Sequence, residues 1–95
     1  SDTTFDDLEG YIQDEYDLEK LYIIEEHKIT VHRALRRLNT EYRQVLWLLY
    51  FDGLTNSEAS VVMKKNTRQM KNLVYRAKCA LKSELDKEGF VYEEL

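Results

Sequence analysis

The side chains best suited to chemistry in this sequence lie close together: Arg68, Gln69, Lys71, Asn72, Tyr75, Arg76 and Lys78. Guanidinium, ammonium and carboxamide groups are what phosphate oxygens and the edges of nucleic-acid bases pair with. They are interleaved with Met70, Val74, Ala77, Leu81 and Leu85, which recur at spacings of four, three, four and four. At 3.6 residues per turn that series makes one buried stripe and leaves the polar, net positive set on the outer face of the same helix. The groups that catalysis needs are not assembled. There are no paired catalytic carboxylates, no nucleophile with a base and no phosphate-cradling glycine loop, so no enzyme and no small-molecule substrate is expected. Cys79 is the one cysteine and stands apart from His27 and His32, so neither a disulfide nor a metal site is expected, and no cofactor.

A helix that offers such a face needs others to hold it. Immediately before it, Thr55 with Glu58 three residues on predicts a capped helix through LTNSEASVVM. Asn66 is a strong N-cap type for the helix that follows. Only about three residues separate the two helices, which is the outline of a helix-turn-helix and makes DNA the first partner to consider. Upstream, Val31, Ala34, Leu35 and Leu38 predict a helix from about Ile29 to Leu38, broken at Asn39 and Thr40. Thr40, Glu41 and Arg43 then start another, with Val45, Leu46, Leu49 and Tyr50 inward and Asp52 and Gly53 ending it. Trp47, Leu48 and Phe51 make that helix apolar on more than one side, so it is either central or covered by a partner.

Composition sets the class. Ninety-five residues, 43% hydrophobic, with no proline and three glycines, predict one small all-α domain of four to six helices. The expected core is three helices, winged-helix-like or homeodomain-like, with a C-terminal helix-turn-helix and an acidic helix before it. The net charge of −4 divides unevenly: residues 1–27 carry −9, residues 28–87 carry +8 and residues 88–95 carry −3. The boundaries follow from this, giving an acidic N-terminal segment, a basic helical body and a short tail in which Phe90, Val91 and Tyr92 can fold back. Local charge governs the encounter with a polyanion, so the acidic total does not exclude DNA. With neither a membrane-length apolar run nor a signal-peptide start, a cytoplasmic, reduced setting and no membrane contact are expected. The start at Ser-Asp without Met suggests a piece of a longer protein.

The order of these signals resembles region 4 of bacterial RNA polymerase sigma factors, particularly the extracytoplasmic-function type. Residues 34–85 carry the likeness: Ala34, Leu35 and Leu38; Arg43, Val45 and Leu46; Tyr50, Gly53, Leu54 and Thr55; Glu58; and Lys71, Arg76 and Ala77. The resemblance implies a promoter-recognition domain whose last helix enters the major groove of the minus-thirty-five element. Thr67, Arg68, Lys71 and Asn72 would lie nearest the bases, with Tyr75 on the same face. Thr55, Lys64, Lys65, Arg76 and Arg43 would hold phosphates. It also implies that Trp47, Leu48 and Phe51 dock the flap of the polymerase β subunit, and it makes an anti-sigma factor a further partner. The acidic segment then reads as the linker after region 2, as an arm masking the basic face, or as a solvated helix over the apolar face.

Three positions depart from the family pattern. Lys64 and Lys65 stand where glycine is usual in the turn, which predicts a non-glycine residue in a left-handed conformation. Ala59-Ser60 replaces Ile-Ala, and Leu73 replaces a frequent arginine. Two alternatives remain: a response-regulator output domain, and an interaction module that binds polymerase or an anti-sigma factor without DNA.

Overall fold

The computed structural model describes residues 25–89, which form four helices: α1 (Glu25–Arg36), α2 (Thr40–Tyr50), α3 (Asn56–Met63) and α4 (Thr67–Lys87). Among these residues there is no strand, so the three-helix core carries no wing. Most of the acidic segment and the residues Phe90, Val91 and Tyr92 lie outside the described residues.

α2, α3 and α4 each begin where a side chain can satisfy free N–H groups. Asn39, rather than Thr40, caps α2: its Oδ1 accepts the Tyr42 N–H at 2.8 Å. The expected box at α3 is present, with Thr55 Oγ1 accepting from Glu58 N at 3.1 Å and Glu58 Oε1 accepting from Thr55 N at 2.9 Å. Asn66 and Gln69 repeat it at the start of α4, at 2.8 and 2.9 Å. Such a cap contributes about 1 kcal/mol to its helix. The Thr55 hydrogen bonds, backbone first, also hold the Glu58 carboxyl below its ordinary pKa. Gly53 ends α2 at φ +74°, and nothing crowds its α-carbon, so only the backbone angle asks for glycine there.

Lys64 occupies the left-handed region, at φ 58° and ψ 48°. It closes α3 through two hydrogen bonds, Lys64 N to Val61 O at 3.2 Å and Lys65 N to Ser60 O at 2.9 Å. That pair is the usual glycine-favouring helix ending, built here on a lysine.

The core forms where α1, α2 and α3 all pack on α4. Met70, Val74, Ala77, Leu81 and Leu85 are buried as their spacing predicts, against Val31, Ala34, Leu35 and Leu38 of α1 and its C-terminal turn, Val45 and Leu46 of α2, and Ala59 of α3. Leu46, Leu81 and Leu85 are among the largest fully enclosed side chains. Each contributes roughly 1.5–3 kcal/mol by burial. Leu73 joins them at 6% exposure, so the position where the family often has arginine is spent here on packing.

Polar contacts fasten the ends. Arg43 Nη1 donates to the Arg36 carbonyl at 3.2 Å, closing the corner between α1 and α2. Arg37 reaches Glu84 at 2.7 Å and Glu88 at 2.9 Å, and Arg33 reaches Glu88 at 2.8 Å, which ties the last turn of α1 to the end of α4. The Glu84 carboxyl is held below the usual 4.5, first by Lys87 and then by Arg37; Glu88 is lowered first by Arg33 and then by Arg37.

Two outcomes follow from this architecture. A carboxylate whose pKa is lower in the folded than in the unfolded state adds stability that is complete above the unfolded value and is lost as pH falls through the folded one. Urea unfolding should therefore show stability level near neutrality and falling below about pH 4.5, and Glu84→Gln should flatten that acid limb while lowering the plateau. Lys64→Gly should raise the unfolding free energy by roughly 0.5–1 kcal/mol. It removes a left-handed penalty of about 1–2 kcal/mol and returns part of it as entropy of the unfolded chain. Thermal melts of the two proteins would show it.

Candidate nucleic-acid interface

α3 and α4 meet across the turn Lys64–Asn66, and the first half of α4 packs its inner stripe into the core while its outer face stays open. Lys64, Thr67, Arg68, Lys71 and Arg76 are all exposed. Thr67 and Lys71 border the crevice toward α3, where Asn56, Ser57 and Ser60 supply hydroxyl and amide groups. Gln69, Asn72 and Arg76 face the other way, into a polar groove of about 250 Å³ beside Asn39, Glu41 and Tyr42 of the α2 start. Arg68 stands between the two grooves by helical phase.

The residues named from sequence thus divide. Thr55 is exposed at the α3 N-terminus, and its oxygen already accepts the Glu58 N–H, which leaves its O–H to donate. Lys65 is half-buried and bound to Glu41 at 3.0 Å. Asn72 is half-buried, and its Oδ1 is enclosed without a hydrogen-bond partner among the described residues. That acceptor points into the protein rather than to the open face. Tyr75 is half-buried too, and its phenol shares a hydrogen bond with the Cys79 side chain, which raises its pKa above 10.0. Arg43 is engaged at the corner of α1 and α2.

Lys78 corrects the reading of the polar face. It is 3% exposed, with Nζ 5.5 Å from the centre of the Tyr50 ring. Its aliphatic stem fills space in the core while the ammonium meets the negative face of an aromatic ring. Helical phase places it at the edge of the outer face, and α2 covers that edge.

A second surface lies on α2. Trp47 is 39% exposed, Leu48 and Phe51 are partly buried, and Trp47 and Phe51 contact each other with ring centroids 4.7 Å apart. His32 of α1 joins them, stacked on Phe51 at 6.0 Å and tilted against Trp47 at 5.7 Å. Of the two histidines, His32 is half-buried in this cluster and His27 is buried elsewhere in the fold. Beside the rings a shallow, almost wholly apolar hollow of about 330 Å³ is bordered by Thr40, Arg43, Gln44, Trp47 and Leu48. His32 and Glu41 are neighbours of these surfaces that sequence could not supply. Both reach them through tertiary contacts, for which no local spacing gives a signal.

Among the described residues no group of His, Cys, Asp or Glu could hold a metal, and no helix is long and apolar enough to cross a membrane. A family model for sigma-70, region 4, matches residues 28–81, more than half of the chain. No curated protein and no solved structure gives a significant match. Since the matched stretch opens inside α1 and closes on Leu81, it takes in the helix-turn-helix together with the core that supports it. The chain therefore belongs to the sigma-70 region 4 family, the DNA-binding, promoter-recognition domain of sigma factors.

Proposed function

We propose that this domain directs RNA polymerase to promoters by placing the N-terminal half of α4 in the major groove of the minus-thirty-five element. It would work in the cytoplasm as part of a sigma-type initiation factor. The observation that carries the reading is the open face of α4: Thr67, Arg68, Lys71 and Arg76 are exposed over less than three turns, on a helix anchored by its buried stripe. Arg68 and Lys71 are placed to donate to guanine O6 and N7, and Thr67 suits either groove edge or phosphate. Thr55, Lys64 and Arg76 flank them and would grip phosphates, which positions the helix without reading sequence. Asn72 could offer only its amide N–H₂ outward, since its oxygen is enclosed.

The aromatic surface supports the second half of the reading. Trp47, Phe51 and Leu48, with His32 beside them, would receive an apolar helix of the polymerase β flap, and an anti-sigma factor would compete for the same patch. An exposed tryptophan at an apolar hollow is the kind of anchor on which interface energy concentrates.

Two measurements test the pair. In titrations against promoter duplexes, Arg68→Ala should weaken specific binding by about 1–3 kcal/mol and relax preference at one base pair. Lys64→Gly, though more stable, should weaken all sequences alike and make the salt slope shallower by about 0.9. Equal slopes for the wild type and Lys64→Gly would remove Lys64 from the interface. Separately, a flap-helix peptide should shift Trp47 emission, and calorimetry should show Trp47→Ala costing about 2 kcal/mol of that affinity, in addition to any melting-point drop from its lost packing on Phe51 and His32. A flat fluorescence titration would exclude this docking site.

A further inference from the structure

Lys65 is the cation nearest the start of α4 that is already paired. Its Nζ lies 3.0 Å from Glu41 Oε2, with the lysine side chain 28% exposed and the glutamate 51%. Lys65 comes from the turn between α3 and α4 and Glu41 from α2, and each is held in place by something other than the pair. Lys65 N is fixed by its hydrogen bond to Ser60 O, so only the side chain can swing. Glu41 sits in the first turn of α2, where the helix N-terminus favours a carboxylate. The contact faces the polar groove that Gln69 and Arg76 share, at the border of the open α4 face.

We infer that Glu41 acts as an internal stand-in for a DNA phosphate on Lys65, and so lowers the affinity of the domain for any duplex. This rests on the DNA-binding reading above. A backbone phosphate reaching Lys65 must displace the carboxylate or bind beside it, and either way one cation is withheld from the counterion exchange that drives phosphate binding. A phosphate contact carries no sequence information, so the effect falls on nonspecific and specific DNA alike. Glu41 is thus a positioning residue: it touches no base, and it sets how strongly the domain holds DNA before sequence is read. The exposed pair contributes little to folding, so its placement beside the recognition helix is better accounted for by binding than by stability.

The test measures the intact 95-residue chain against a random-sequence duplex over a salt series, comparing wild type, Glu41→Gln, Lys65→Ala and the double variant, with melting curves for each. Glu41→Gln should bind more tightly, and its log–log salt slope should steepen by about 0.9. Its advantage over wild type should then grow about three- to four-fold between roughly 200 and 50 mM salt. In the Lys65→Ala background the same substitution should leave the slope unchanged. A loss of helix stability alone would lower the melting point without steepening the slope, which separates a structural role from this one. An unchanged slope in Glu41→Gln, or an equal gain with and without Lys65, overturns the inference while the domain still binds DNA. If no variant binds DNA in a salt-dependent way, the promoter-recognition reading fails and the inference with it.

Discussion

One helix has two obligations in this domain. α4 must give its apolar stripe to three neighbours along its whole length, and must keep the opposite side of its first half bare. At 1.5 Å per residue its 21 residues reach about 30 Å, enough to separate the tasks along the axis. Leu81 and Leu85 are enclosed toward the end, where Arg33 and Arg37 grip Glu84 and Glu88. Met70, Leu73 and Val74 are enclosed nearer the start, under α2 and α3. A rigid spine is what lets a few exposed side chains meet base edges in fixed register, because a helix loosened at its far end would spread their positions.

The charge of the body is distributed by the same division. Of the bases that give residues 28–87 their +8, Arg33 and Arg37 are neutralised in the clamp, Arg43 is drawn to a carbonyl, Lys65 is paired and Lys78 is inside. At the helix-turn-helix Lys64, Arg68, Lys71 and Arg76 are the bases with exposed side chains. Total charge therefore overstates what DNA would meet, and position decides the field at the groove.

How far the sequence could foretell this depends on range. The caps at Thr55 and Asn66, the stripe from Met70 to Leu85 and the stop at Gly53 are all written within a few residues, and local rules read them directly, whereas the left-handed lysine is legible only against the family's turn glycine. The burial of Leu73 and Lys78 depends on which neighbour covers which edge. Periodicity assigns an edge residue to neither face, and only α2 crossing α4 settles it. The same holds at the interface. Arg68, Lys71 and Arg76 were legible as an outer face, whereas the enclosed oxygen of Asn72, the Glu41 partner of Lys65 and the place of His32 among the rings arise from tertiary contacts.

Lys64 shows how stability and binding oppose each other here. Glycine at that position would relieve the backbone, and lysine places a charge at the entrance of the recognition helix instead. The trade is reasonable only where DNA affinity is in demand and some stability can be given up. The pairing of its neighbour with Glu41 runs in the opposite sense, withholding a charge at nearly the same place. On the proposed reading the two would act against each other on DNA affinity. For a domain docked on polymerase through the Trp47 surface, even weak contacts to DNA would become intramolecular, and base readout rather than phosphate grip would decide where it stays.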